Sequence, residues 1–167
     1  EQKHDCTVWE YFHTDRANWD SLIVMIEHAG MIKYFDGTNK DEISILAPTN
    51  HSINQYLFQT LDDNGERLHE KVTDIPADEC REMLLSYMIH GKKFLEDFDH
   101  EVKGTQTGGT MEQALSGIHL RVYRITSSFY DIPDLGAEKL AFQAPDGYIG
   151  TVASCNIEMN NGVVHSL

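Results

Sequence analysis

The sequence predicts an α+β domain, and three observations carry that prediction. Apolar residues recur at helical steps of three and four through much of the first half of the chain. From Lys92 onward the pattern becomes short strand-like runs separated by Gly-rich turns. Two sharply written junctions frame this change. "ISILAPTNHSI" (Ile43 to Ile53) passes from strand through proline into helix, and "IEMNNGVVHSL" (Ile157 to Leu167) reads as two strands around a turn. Helices followed by strands indicate α+β rather than alternating βαβ.

Each element has a local reason. In "CTVWEYFH", Thr7 and Glu10 form a capping-box pair, and Val8 and Phe12 fall on one face. "DSLIVMIEHAGMIKYF" predicts a second helix with Leu22, Ile26 and Ala29 in one stripe, Asp20 or Ser21 as cap and Gly30 as stop. After the strand "ISIL", Pro48 ends the pairing, and Ile53, Leu57 and Leu61 predict a helix that "DDNGE" breaks. "IPADECREMLLSYMIHG" predicts a helix with Pro76 in its first turn and Cys80, Leu84, Tyr87 and Met88 on one face, stopped by Gly91. Strands are expected in "KKFLEDF", "GIHLRVYRI", "KLAFQAP", "YIGTVASCNI" and "GVVHSL", with Asn161-Gly162 as a two-residue hairpin turn.

At 167 residues, one domain can bury about 70% of its unfolded surface, so stability needs no disulfide framework. Thirteen basic against 27 acidic residues give a formal charge of −14. That balance argues against a nucleic-acid partner and against docking on anionic lipid. No apolar run is long enough to span a membrane, and a chain beginning with Glu leaves an upstream leader or lipid anchor open. Cys6, Cys80 and Cys155 read as small core or incidental thiols, with one bridge left open.

The motif search predicts no catalytic residues, metal site or cofactor. The nine histidines lack zinc-ligand spacing, and "TLDDNGERLHEK" puts Thr60 and Lys71 where a calcium loop needs carboxylates. The acidic run Glu96 to Glu101 reads as a solvated loop. Ser116 lacks the flanking glycine of a nucleophile elbow. Asn50-His51-Ser52 is a glycosylation sequon, but Asn50 stands where a helix cap is expected, and Thr49 or Asn50 can satisfy the free amides of the helix that follows.

Ala47, Pro48, Thr49 and Asn50 resemble the first signature box of the fasciclin domain, and Asn161, Gly162 and His165 resemble the second. Between them "IPADECREMLLSYMIHGKKF" is similar to that family's central helix, and "DSLIVMIEHAGMIKYF" to the helix before the first box. The resemblance runs from Asp20 to Leu167, which divides the chain into an N-terminal helical extension (1–19) packed on a fasciclin-like domain (20–167). It implies a β-wedge or sandwich of about seven strands with a cluster of helices, the two boxes on neighbouring central strands, and His165 buried and hydrogen-bonded between them. The "TVWEYF" segment is similar to an extension in fasciclin-like lipoproteins of Bacteroidetes.

For function the resemblance implies a non-enzymatic, extracellular or envelope-located adhesion module whose partner is a surface protein or a glycan. Some adhesive members carry a Tyr-His pair centrally and an Asp-Ile pair before the second box. Here those positions read Ser86-Tyr87 (or Tyr87-Met88) and Asn156-Ile157, so that adhesive site is not carried over. Tyr87, His90, Asn156 and Ile157 are the ligand-binding candidates. A glycan ligand would need an exposed aromatic platform, with Trp9, Trp19, Tyr123, Tyr130 and Tyr148 as candidates. The competing readings are a carboxylate-dependent hydrolase and a structural spacer domain.

Overall fold

In the computed structural model, residues 3–126 and 136–167 are described, and the α+β expectation holds. The helices are α1 (Val8–Thr14), α2 (Arg16–His28), α3 (Asn50–Gln59) and α4 (Ala77–Ser86). The strands are β1 (Ile43–Ala47), β2 (Met88–His90), β3 (Thr110–Gln113), β4 (His119–Thr126), β5 (Glu138–Gln143), β6 (Ile149–Thr151), β7 (Ser154–Met159) and β8 (Gly162–Ser166). They form two four-stranded sheets, ordered β2-β1-β8-β7 and β3-β4-β5-β6. The two signature boxes do lie side by side: β1 runs parallel to β8, Ile43 opposite Gly162 and Ala47 opposite Ser166. The other pairings within the sheets are antiparallel.

Two apolar clusters share the first sheet as a wall. On its helical side Val8, Phe12, Trp19, Leu22, Ile26, Ile45, Leu84 and Val164 are buried together. Between the two sheets lie Leu46, Ile89, Phe98, Leu120, Val122, Leu140, Phe142 and Val152. Strand alternation explains the split, because Ile45 and Leu46, or Val164 and His165, point to opposite faces. The predicted capping box is present, with Glu10 N–H on Thr7 Oγ1 and Thr7 N–H on Glu10 Oε1. Gly30 ends α2 at φ +69° as expected.

Several elements differ from the sequence reading. Helix α2 starts at Arg16 rather than Asp20, which brings Trp19 into the core with no exposed surface. Leu61 lies beyond α3 and is exposed. Helix α4 stops at Ser86, and the helical pattern through Met88 is overridden by pairing with β1, Ile45 opposite Met88. "KKFLEDF" contains a 3-10 turn (Leu95–Asp97) instead of a strand, because Asp97 Oδ2 accepts the Phe94 N–H and closes the chain locally. "YIGTVASCNI" divides into β6 and β7.

Candidate functional site

The two signature boxes turn out to be clamps. Thr49, not Asn50, caps α3, accepting the Ser52 N–H at 3.4 Å, and its hydroxyl donates to Leu167 O. Pro48 separates this cap from the end of β1, where Ala47 O accepts the Leu167 N–H. Asn50, the other candidate cap, instead reaches α2: its Oδ1 accepts the Ser21 N–H at 2.8 Å and its Nδ2 donates to Ala17 O at 2.8 Å. Those two backbone groups are the pair an unbroken helix would join to each other, so the amide is spliced into the α2 ladder. Its nitrogen is thereby engaged at the atom a glycan would occupy.

Asn161 does the same for α1. Its Oδ1 accepts the Val8 N–H and its Nδ2 donates to Phe35 O, both at 2.9 Å, satisfying a helix-start amide that has no intrahelical partner. The hairpin turn itself is Asn160-Asn161, since Met159 pairs with Gly162, and neither asparagine has positive φ. Gly162 is thus a strand residue, and its small size has a different cause: a Cβ there would meet Ile43 O at 2.6 Å and Val8 Cγ2 at 3.0 Å.

His165 is buried, as the resemblance implied, but it does not bond the Thr49–Asn50 junction. Its Nδ1 accepts the Asn156 N–H at 3.1 Å and its Nε2 donates to Lys93 O at 2.8 Å. Burial pushes its pKa below the ordinary value, opposed by the Lys93 hydrogen bond and by Glu96. Asn156 is the positive-φ residue (63°) of a bulge in β7, and its Oδ1 accepts the Leu95 N–H at 2.7 Å. Histidine and bulge together fasten the 93–97 turn to the sheet. Asn156 is therefore occupied by the fold, and Ile157 packs half-buried against the helical-side cluster. His90, exposed at the end of β2, lines a shallow cleft with Tyr34, Asn39, Asp41, Ile43 and Leu115.

Tyr87 has other neighbours, and they form an aromatic surface feature. Its ring meets the buried Phe142 edge-on at a centroid distance of 5.6 Å, and Phe142 in turn lies 6.1 Å from Tyr148. Tyr148 is 57% exposed and Tyr56, on α3, 37%. Burial raises the Tyr87 phenol pKa, and Tyr148, Asp146 and Tyr56 add to the rise, which places each of these three within electrostatic reach of Tyr87. The frame is rigid. Tyr87 O accepts the Leu46 N–H, and the 144–148 turn is closed by Gly147 N–H on Ala144 O and Tyr148 N–H on Asp146 Oδ1. Gly150 faces Phe142 across the β5–β6 pair, and a Cβ there would come within 2.4 Å of the ring. The ring thus covers the glycine and is held beneath the cluster.

Of the platform candidates among the described residues, only Tyr148 meets the exposure that role needs. Trp19 and Tyr123 are buried, Trp9 is half-buried against the helices, and Tyr130 lies outside the described residues. The sequence reading missed Tyr56, Phe142, Asp146 and Gly150. The signal for three of them was present: Pro145-Asp146-Gly147 is a turn sequence, and the hairpin it dictates sets Phe142 opposite Gly150. Among the described residues no group of three or more His, Cys, Asp or Glu is placed to hold a metal ion. No described helix is long and apolar enough to cross a membrane.

No protein-family model matches the chain, and no curated protein matches it. Among solved structures, a FAS1 domain pair from the insect cell adhesion molecule fasciclin I is similar at a TM-score of 0.50 and 14% identity. The match covers 95% of this chain and 43% of that one, so the chain spans less than half the length of the pair. At this identity the likeness is one of fold, and the fold is fasciclin-like.

Proposed function

We propose that the chain is a non-catalytic binding module of a cell surface or envelope, docking a protein or glycan on the surface formed by Tyr56, Tyr87 and Tyr148. The observation that carries this reading is the aromatic cluster itself: among the described residues no hydrogen bond engages the three phenol hydroxyls, whereas the signature-box polar groups are taken up by the fold. Aromatic faces with a polar edge suit recognition of partners that are apolar on one side and hydrated on the other. The fold's likeness to a domain pair of a cell adhesion molecule supports adhesion as the setting, and attachment through a lipid anchor upstream is proposed from the N-terminal sequence resemblance alone. The hydrolase reading has less support. The cavity between the sheets has no carboxylate lining it, and the cleft beside His90 has one, Asp41.

The test is capture from an envelope extract on the immobilised chain, with and without prior deglycosylation, comparing the unaltered chain with Tyr148→Ala. Tyr148 is exposed, so the variant is expected to fold normally. Specific capture that the variant loses supports the binding reading, and its survival after deglycosylation marks a protein partner. Equal capture by both chains places binding away from Tyr148 and overturns the aromatic surface as the site, and no capture by either supports a spacer role.

A further inference from the structure

Resting on that reading, we infer that the occupant of the aromatic surface is a cationic segment of a partner protein, an Arg or Lys side chain laid on the Tyr148 face with its charge toward Asp146.

The charges are complementary at both short and long range. Tyrosine faces are electron-rich and attract Arg and Lys, most strongly where a carboxylate stands beside them. Asp146 is exposed, stands two residues from Tyr148 and holds the Tyr148 N–H with Oδ1, and among the described residues no hydrogen bond engages its other oxygen. No Lys, Arg or His among the described residues pairs with Asp146, and the nine undescribed residues of the 127–135 segment contain no cationic side chain. At long range, a chain carrying −14 draws cationic partners and slows anionic ones.

The same sheet already contains the arrangement in completed form. The Arg121 guanidinium sits 4.2 Å above the Tyr123 ring, and the same group meets Glu101 at 3.0 Å. Tyrosine face, carboxylate and guanidinium are satisfied there within one chain. Tyr148 and Asp146 offer the first two of these three and lack the third. A neutral glycan fits less well, because sugar hydroxyls are held mainly by planar amide and carboxylate groups around the ring edge. Here one carboxylate is present, with one of its roughly four acceptor sites already used by the Tyr148 N–H.

The experiment titrates the full chain with a capped peptide of alternating Gly and Arg and with the same peptide carrying citrulline, which keeps the shape and removes the charge. Aromatic-ring NMR shifts of Tyr148 and Tyr87 give the location, and calorimetry the affinity. Expected are shifts at both rings, a loss of about five- to tenfold in affinity for Tyr148→Ala and for Asp146→Asn, and a similar loss with citrulline. Asp41→Asn, an exposed acid at the far end of β1, is expected to change little. Equal weakening by Asp41→Asn and Asp146→Asn would mean diffuse attraction to an acidic protein and would overturn the inference. So would equal binding of the citrulline peptide, no binding of the arginine peptide, or ring shifts produced instead by a neutral oligosaccharide. If extract capture depends on Tyr148 while the arginine peptide fails, the binding module stands and the cationic partner falls. If capture does not depend on Tyr148, both fall.

Discussion

A histidine that accepts a hydrogen bond at Nδ1 while donating at Nε2 has to be neutral, and His165 does both inside the fold. Protonation would set an N–H against the Asn156 N–H. Burial accordingly holds its pKa below the unfolded value of about 6.5, with Lys93 O and Glu96 pulling the other way. Where a folded pKa is depressed, the unfolded chain takes up its proton first as the pH drops. Stability is therefore fully present above about pH 6.5 and declines as pH falls from there toward the folded pKa. In His165→Gln the side chain still offers one donor and one acceptor, but without this titration. At pH 7.5 we expect the variant to be less stable by about 1–3 kcal/mol, the range for an imperfectly satisfied buried polar group. Urea unfolding at a series of pH values should show that deficit narrowing between about pH 7 and pH 5. A deficit that stays constant across the series would show that His165 does not titrate differently in the folded chain. The remaining histidines are common to both proteins and cancel in the comparison.

Among the secondary elements, the bulge in β7 joins backbone strain to a side-chain bond. Asn156 combines φ 63° with an Oδ1 that accepts the Leu95 N–H, and so orders the 3-10 turn that was misread as a strand. Two substitutions separate these contributions. Asn156→Gly keeps the conformation available and loses the bond, for an expected cost of about 1 kcal/mol. Asn156→Ala loses the bond and adds left-handed strain, for about 2–3 kcal/mol in all. Thermal melts should therefore rank the unaltered chain above the glycine variant and that above the alanine variant. An alanine variant as stable as the glycine one would show that the bulge relaxes. The comparison with the sequence follows the same division between local and distant causes. Thr7 and Glu10, Gly30, and the strand–proline–helix junction were legible because their partners are a few residues away. The switch from α4 to β2 was not, since Leu84, Tyr87 and Met88 keep a helical spacing and only pairing with β1 overrides it. Nor was the role of Asn50 or Asn161, whose acceptors and donors lie on α2, on α1 and at Phe35. The aromatic site was half legible: Tyr87 and Tyr148 were singled out, but for separate reasons, and their meeting at Phe142 is a tertiary fact.

At the scale of the whole molecule, the sequence division after residue 19 can be set against the way the N-terminal helix is held. Val8 and Phe12 have no exposed surface and join the same cluster as Leu22, Ile45 and Val164. Phe12 lies 5.1 Å from Trp19 and 6.1 Å from Phe35, ring centre to ring centre. The start of α1 is bonded to Asn161 in the second signature box, and Gly162 leaves the space that Val8 occupies. Removing residues 1–14 would uncover that part of the core and release the side-chain amide of Asn161. Burying Val and Phe side chains contributes about 1.5–3 kcal/mol each, so the deletion should cost about 3–6 kcal/mol from this pair alone. Against a total domain stability of about 5–15 kcal/mol, that is a large fraction. Calorimetry on the shortened chain should show a melting temperature lower by about 10–20 °C, or no cooperative transition, with Phe12→Ala giving a smaller fall in the same direction. Binding at Tyr148 offers an independent readout, because Tyr87 and Phe142 pack in the other cluster, between the sheets. If the shortened chain melts within a few degrees of the full one, α1 is an appendage to a domain that begins after it. If the melt collapses and binding at Tyr148 is lost with it, the helix and the distant aromatic surface belong to one cooperative unit, and the first 14 residues are part of the domain.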